Sequence, residues 1–364
     1  MQWEDGTHVD YASVWLRDNL PQDRDSFSGQ RLIDVADLPA DPRIQAASLL
    51  DGCVQITWAG EALVSNFSPQ WLYAHSRGQA PAMAPAARQW LDGARRDARR
   101  DFAWQPVGSV AANPRARLAW LTRLLEDGIA FISDVPRTEP AILETMAHIG
   151  RVAETNYGLV FDVKAVPQPE NLAYSDLGLG LHTDNPYREP VPGFQALHTL
   201  LAAPDGGDSL FADGFALAAE LRRLDAEAFA TLTHTPVPFR YRSRSAELTA
   251  ARPLIALDCE GAVAAVHYNS RSIAPLVLPA TDCPAFYRAY RRFASLLREP
   301  QYQLATRLGD GELVVFDNQR VLHGRTGFAS ARHPRHLRGC YLTRDSVYSE
   351  QALLQRQLVV REPS

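Results

Sequence analysis

The stretch Gly178-Leu179-Gly180-Leu181-His182-Thr183-Asp184-Asn185-Pro186-Tyr187 decides how the rest of the chain is read. In extended backbone alternate side chains share a face, so His182 and Asp184 point one way and Thr183 the other. An imidazole and a carboxylate on one face are two corners of a facial metal site. A second histidine from elsewhere would complete a 2-His-1-carboxylate triad, whose open positions suit Fe(II) with a co-substrate and oxygen. A lone His-x-Asp is common at surfaces and turns, so the reading depends on what the chain places around it.

Downstream, Phe316-Asp317-Asn318-Gln319-Arg320-Val321-Leu322-His323-Gly324-Arg325 follows a strand, and His323 lies 141 residues after His182. In a jelly roll two such strands return to one mouth. Arg335 comes 12 residues later, just before the strand expected over Leu337–Thr343. Its planar guanidinium suits bidentate binding of a co-substrate carboxylate. Arg332, in the same Arg/His-rich loop, is the competing choice.

The elements around these motifs are short strands with interleaved helices. Residues 1–76 read as a small β-rich unit: Val54–Trp58 alternates as a strand, Ala62–Phe67 can pair with it, and Ser68-Pro69 opens a short helix. Residues 77–113, rich in Ala, Pro, Arg and Gly, read as a linker with one helical turn over Gln89–Arg100. From residue 114 to 364 the pattern tightens. A helix carries Leu118, Leu121, Leu124 and Leu125 and ends at Gly128, and Ile129–Ile132 follows as a buried strand. Thr138-Glu139-Pro140 opens a helix with Ile142, Leu143, Met146 and Ile149. Further strands are expected at Phe194–Leu201, Leu210–Ala212, Arg252–Leu257, Ala262–Tyr268, Glu312–Phe316 and Gly339–Thr343. Asp213 and Asp282 are expected to cap helices. With no βαβ alternation, this pattern predicts an α+β, mainly β fold: a double-stranded β-helix, or jelly roll, with helices outside.

Composition bounds the function. The chain has 364 residues, 46% hydrophobic and 22% charged, with a net charge of −5 and no Lys/Arg-rich run. That argues against a nucleic-acid partner and for a small-molecule substrate. No apolar run approaches a membrane span. Cys53, Cys259, Cys283 and Cys340 are widely spaced and read as reduced, mostly buried thiols. The opening Met1–Gly6 is unlike a signal peptide, and a cytoplasmic enzyme is expected. No phosphate-binding glycine loop is present.

Taken together, His182-Thr183-Asp184, His323-Gly324-Arg325 and a following arginine resemble the Fe(II)/2-oxoglutarate-dependent oxygenases of the taurine dioxygenase superfamily. Within it the chain is similar to γ-butyrobetaine hydroxylase and trimethyllysine hydroxylase. Tyr11–Asn19, Asn171-Leu172-Ala173-Tyr174, Gly206-Gly207-Asp208-Ser209, Asp213-Gly214-Phe215, Phe316-Asp317-Asn318 and Arg335-His336-Leu337 fall in family order. The resemblance implies that His182, Asp184 and His323 hold iron, and that Arg335 with Ser209 binds 2-oxoglutarate. It implies ascorbate as reductant, O2 as co-substrate and a homodimer. It also implies an aromatic cage of Tyr157, Phe161, Tyr174 and Tyr341 around a trimethylammonium group. Ring faces suit such a group, which has no hydrogen to donate. Asn171 and Asn269 would hold the substrate's anionic end, and Asn185 stands where the animal enzyme has tyrosine. Asp184 argues for hydroxylation, since halogenating relatives carry a small residue there.

The departures matter too. The family's structural zinc uses cysteines just after the Leu-Arg-Asp-Asn motif, and here Leu16–Asp25 has none. Leu63 stands where the zinc's histidine would fall, so no zinc is expected. Ser270 and Arg271 follow Asn269, and extra donors there favour a more charged anion, such as a phosphonate. The expected reaction is hydroxylation of a small trimethylammonium acid, with γ-butyrobetaine to carnitine first. The alternatives are the same chemistry on trimethyllysine, 2-(trimethylammonio)ethylphosphonate or another small acid, and a non-catalytic metal-binding jelly roll.

Overall fold

Alternating burial makes Cys53–Trp58 the central strand of the N-terminal unit: Val54, Ile56 and Trp58 turn inward and their neighbours outward. The computed structural model describes residues 1–75, 85–164, 176–328 and 335–359, and the chain divides into two units, Met1–Ala82 and Met83–Ser364. In the first, β1 (Ile44–Leu50), β2 (Cys53–Trp58) and β3 (Val64–Phe67) form an antiparallel sheet in that order. Sequence reading misses β1 because every one of its residues is exposed, which leaves no alternation to see. Ser68 caps the helix Pro69–Ala74 as expected, accepting the Trp71 N–H at 3.3 Å. Within Leu16–Asp25, Arg17 is buried and pairs with Asp23 (3.0 Å), and it also pairs with Glu61 (3.1 Å).

The second unit opens with β4 (Ala103–Pro106), β5 (Ile129–Ser133), β6 (Val152–Ala153), β7 (Phe161–Lys164), β8 (Leu179–His182), β9 (Phe194–Leu201) and β10 (Ser209–Asp213). It continues with β11 (Val237–Arg242), β12 (Glu247–Arg252), β13 (Ile255–Leu257), β14 (Val263–Val266), β15 (Leu304–Thr306), β16 (Leu313–Asp317), β17 (Val321–Arg325) and β18 (His336–Leu342). The larger sheet runs β4-β5-β16-β9-β18-β6, with β7 also paired to β18, and the smaller runs β15-β10-β17-β8. Phe211 of the smaller sheet meets Phe316 of the larger, ring centroids 5.6 Å apart, so the two sheets close on each other as a jelly roll. The strands expected from sequence at β5, β9, β10, β14, β16 and β18 are present within a few residues. The expected strand Arg252–Leu257 instead splits between the end of β12 and β13.

The expected linker 77–113 needs correction. Its described residues, 85–113, belong to the second unit: β4 lies parallel to β5, Trp104 stacks on Phe131 at 4.7 Å, and Trp90 is buried. Gln89–Arg100 holds a 3-10 turn (Gly93–Arg95) and the start of the helix Ala98–Asp101. The Ala/Pro/Arg composition hides three aromatic anchors, Trp90, Phe102 and Trp104. Asp282 also precedes its helix, Cys283–Arg298, without a side-chain cap, bonding Thr281 instead. Asp213 does cap Gly214–Leu224, and its carboxylate also receives the fully buried Arg320 at 2.8 and 3.2 Å. That pair fixes the turn from β16 into β17. Of the four free cysteines only Cys340 is buried and Cys259 is exposed, so "mostly buried" was too strong.

His198 on β9 is fully buried, and neither ring nitrogen has a hydrogen bond among the described residues. Burial pushes its pKa down to about 4, against a small opposing contribution from the Val135 backbone, and its cross-strand neighbour is Arg338. A base with a depressed folded pKa binds its proton in the unfolded chain first. Its contribution is therefore intact above pH ~6.5 and is lost as pH falls from there towards 4, by at most roughly 3 kcal/mol. Replacing His198 by Leu is expected to flatten the loss of stability between those pH values in urea titrations. An unchanged slope would contradict the assignment.

Candidate active site

His182 ends β8 and His323 sits in β17, and the antiparallel register places the two directly opposite each other. This pairing joins residues 141 positions apart, and their rings stand 4.3 Å centroid to centroid. The strands can approach because residue 324 is glycine: a Cβ there would lie 2.5 Å from the Leu179 carbonyl oxygen. Asp184 follows just beyond the strand end. Its carboxylate oxygens lie 3.3 Å from His182 Nε2 and 3.9 Å from His323 Nε2. One donor atom from each of the three residues lies within 4.8 Å of the others. Among the described residues this is the one group of three or more such side chains that could hold a metal ion.

The protonation states suit a cation. His182 Nδ1 lies 2.9 Å from the Gly180 carbonyl oxygen, a contact that orients the ring with Nε2 towards Asp184. Burial, with His182 alongside, pushes His323 down to about 3, so its ring is neutral. Burial alone would raise the Asp184 carboxyl, yet the adjacent histidines and the Tyr341 hydroxyl hold it well below the usual range. Two imidazoles and one carboxylate opening on one cavity fit a facial Fe(II) site.

Asp184 itself is held from three directions. Its N–H donates to Asn318 Oδ1 (2.7 Å), while Asn318 Nδ2 donates back to the Asp184 carbonyl (3.0 Å) and to that of Pro192 (3.2 Å). Tyr341 donates its hydroxyl to Asp184 Oδ2 at 2.8 Å. Asn185 then takes a left-handed φ of 55°, which asparagine tolerates, and its Oδ1 accepts from the Tyr187 hydroxyl at 2.5 Å.

A cavity of about 430 Å³ opens on these residues. Ser209 and Arg335 line it on one side, with Gln195, Leu337 and Arg325. Ser209 pairs with Arg325, two residues along β17 from His323, or about 7 Å at the strand repeat. Arg335 is buried, which together with Arg325 lowers its pKa to about 10, still cationic at neutral pH. Among the described residues it has no carboxylate within ion-pair distance. Tyr157, Phe161, Tyr341, Asn185 and Asn269 line the same cavity. Gly339 makes room for the Phe161 ring, since a Cβ would lie 2.5 Å from it.

Two expectations shift. Tyr341, expected as a cage ring, also spends its hydroxyl on Asp184. Asn269 gives one amide hydrogen to the Thr183 carbonyl (3.1 Å), leaving one to offer. Asn171, Tyr174 and Arg332 lie outside the described residues. Sequence reasoning passed over Tyr187, Tyr241 and Arg240, all of which line the cavity, and gave Asn318 no role beyond its motif. The alternation Val237, Phe239, Tyr241 in β11 was the available signal.

Comparison with known proteins agrees with this geometry. Residues 102–341 match the taurine catabolism dioxygenase TauD, TfdA family. The chain belongs to this family. This TauD/TfdA chain is 35% identical to gamma-butyrobetaine dioxygenase of Pseudomonas sp. (strain AK-1) over 362 residues, 97% of this chain and 93% of that protein. It is 30% identical to dioxygenase str8 of Strobilurus tenacellus, over 96% of this chain and 87% of that one. Against human gamma-butyrobetaine dioxygenase identity is 27%, over 98% and 94%. The solved structure of asparagine oxygenase with Fe(II), 2S,3S-3-hydroxyasparagine and succinate superposes with a TM-score of 0.50 at 20% identity, over 65% of this chain and 83% of that one. AAD-2 with Mn(II) and N-oxalylglycine gives 0.52 at 14%, over 71% and 96%. These two likenesses support the jelly-roll fold. As a TauD/TfdA member, the chain is an Fe(II)/2-oxoglutarate-dependent dioxygenase.

Proposed function

We propose that the chain hydroxylates a small trimethylammonium acid, with gamma-butyrobetaine as the first candidate, using 2-oxoglutarate and O2. His182, Asp184 and His323 would hold Fe(II), which when bound supplies oxygen activation coupled to decarboxylation of 2-oxoglutarate. Arg335, with the Ser209 hydroxyl, receives the remote carboxylate of 2-oxoglutarate. Tyr157, Phe161 and Tyr341 present ring surface to the quaternary ammonium, with Tyr174 assigned by resemblance. Asn269 and Asn185, with Asn171 by resemblance, meet the anionic end through uncharged amides. The protein's own work is positioning: it fixes one C–H beside the metal and keeps the flexible acid from turning.

The observation that carries this reading is the cavity wall. Aromatic rings and amide or guanidinium donors face one space beside the triad, a pairing that fits a zwitterion of separated charges. A more charged anion is the second reading. Arg271 and Arg240 line the same cavity, and among the described residues neither has a carboxylate partner within ion-pair distance. A phosphonate in place of the carboxylate would use both.

Four free thiols fit a reducing compartment, so we place the enzyme in the cytoplasm. A homodimer and ascorbate as the reductant for iron complete the reading on the family resemblance, while the departure over Leu16–Asp25, which has no cysteine, is the ground for a first unit that folds without zinc.

Succinate formation with Fe(II), ascorbate and 2-oxoglutarate tests it against gamma-butyrobetaine, trimethyllysine, 2-(trimethylammonio)ethylphosphonate and taurine. Stimulation by a trimethylammonium acid alone is expected, and the preferred member names the anion. Stimulation by taurine alone would make the rings core residues and overturn the substrate class.

A further inference from the structure

Five aromatic rings line the cavity in a continuous series. Tyr341 meets Phe161 at 5.1 Å, Phe161 meets Tyr157 at 6.4 Å, Tyr157 meets Tyr241 edge to face at 5.9 Å, and Tyr241 stacks on Tyr187 at 5.2 Å. The series starts and ends at neighbouring residues. At one end the Tyr341 hydroxyl holds Asp184, and at the other the Tyr187 hydroxyl holds Asn185. An arc that returns to its origin encloses a space beside the metal ligands.

Tyr157 and Tyr187 also meet through their hydroxyls at 3.5 Å, and Tyr241 adds its ring against both from outside the two main sheets. It stands on β11 of the separate β11–β12 hairpin. The hairpin is anchored beneath it: Val237 and Phe239 are fully buried on the same strand face. The Arg240 N–H donates to the Ser272 carbonyl at 2.7 Å, and the Ala274 N–H to that of Pro238 at 2.8 Å. The ring is therefore fixed over the cavity. Two rings of the arc already carry a cation, since the Arg188 guanidinium lies 5.7 Å from the Tyr157 centroid and 6.0 Å from that of Tyr187. Among the described residues no guanidinium lies over Tyr241.

We propose that Tyr241 is a specificity-determining residue whose ring surface completes the enclosure of the substrate's quaternary ammonium. This rests on the trimethylammonium reading above. A tetra-alkylated nitrogen has no N–H to donate, so its recognition depends on how many ring surfaces surround it, and the phenol hydroxyl is dispensable.

The test compares Tyr241→Phe with Tyr241→Leu, which keeps apolar bulk and removes the π face. KM and kcat are measured for the preferred trimethylammonium acid. Inhibition is measured for its neutral carbon isostere (5,5-dimethylhexanoate for gamma-butyrobetaine). Tyr241→Phe is expected within about threefold of wild type. Tyr241→Leu is expected to raise KM about tenfold with kcat changed less than threefold, a size in keeping with one desolvated cation–π contact. Its inhibition constant for the isostere should stay near wild type. An unchanged KM, or an equal loss for substrate and isostere, would show Tyr241 to be only a wall and overturn the proposal. If wild type turns over no trimethylammonium acid, the substrate reading fails and this inference with it; a wild type that does so, with an indifferent Tyr241→Leu, sinks this inference alone.

Discussion

Replacing Asp184 by Ala is expected to abolish measurable succinate formation and to weaken Mn(II) binding to the metal-free protein beyond the limit of titration. Asp184 is the one anionic donor of the triad, and imidazoles bring no negative charge to balance a divalent cation. Its supports have smaller, separable effects. Asn318 grips the backbone of Asp184 from both sides, so Asn318→Ala frees that segment without removing a ligand. Tyr341 donates to Oδ2 and so orients the carboxylate that would hold the metal. Losing either outer contact is expected to cost about 10- to 100-fold in metal affinity, the usual scale for such partners. Mn(II) titration followed by EPR reads this without turnover. Tyr341→Phe is the sharper variant because it retains the ring beside Phe161 and deletes only the hydroxyl. Wild-type Mn(II) affinity in both Asn318→Ala and Tyr341→Phe would show that Asp184 needs neither support.

Much of this centre was legible in the chain. A His-x-Asp at a strand end and a His-Gly-Arg in a second strand are local patterns whose partners follow once a jelly roll is assumed. The glycine of His323-Gly324-Arg325 has a physical reason, the close approach of β17 to β8, which appears only when the strands are paired. Long-range contacts hid the rest. Trp90, Phe102 and Trp104 lie in an Ala/Pro/Arg background, so composition reads as linker, while the first two are buried and Trp104 packs against their core cluster. Tyr241 showed the right alternation, but a two-residue period says only which side chains share a face, not what that face looks at. Tyr341 was placed by its ring alone, and no sequence pattern reports that its hydroxyl reaches a residue 157 positions away.

Arg335→Leu is the second large effect expected, and it falls on 2-oxoglutarate rather than on metal. The guanidinium is buried and beside Ser209, with no carboxylate partner among the described residues, so an incoming carboxylate is its natural counter-ion. Truncating one member of such a buried charge pair costs about 2–5 kcal/mol, because the other charge is left unpaired. At 1.36 kcal/mol per tenfold, that is roughly 30-fold to several thousandfold in KM for 2-oxoglutarate. The Mn(II) affinity of the metal-free protein should stay within about threefold of wild type, which separates this variant from Asp184→Ala. Arg335→Lys keeps a positive charge but not the planar fork, so an intermediate rise is expected. Arg325 is the internal control. It lines the same cavity from β17, and its Nε donates to the Leu177 carbonyl at 3.4 Å. After burial, its charge is the next cause that lowers the Arg335 pKa, so its loss should relieve repulsion between two cations while removing attraction for the anion. The two effects oppose each other, and Arg325→Leu should therefore raise KM for 2-oxoglutarate much less than Arg335→Leu. The reverse order, with Arg335→Leu nearly silent, would move the co-substrate's carboxylate to Arg325 and leave the metal centre as described.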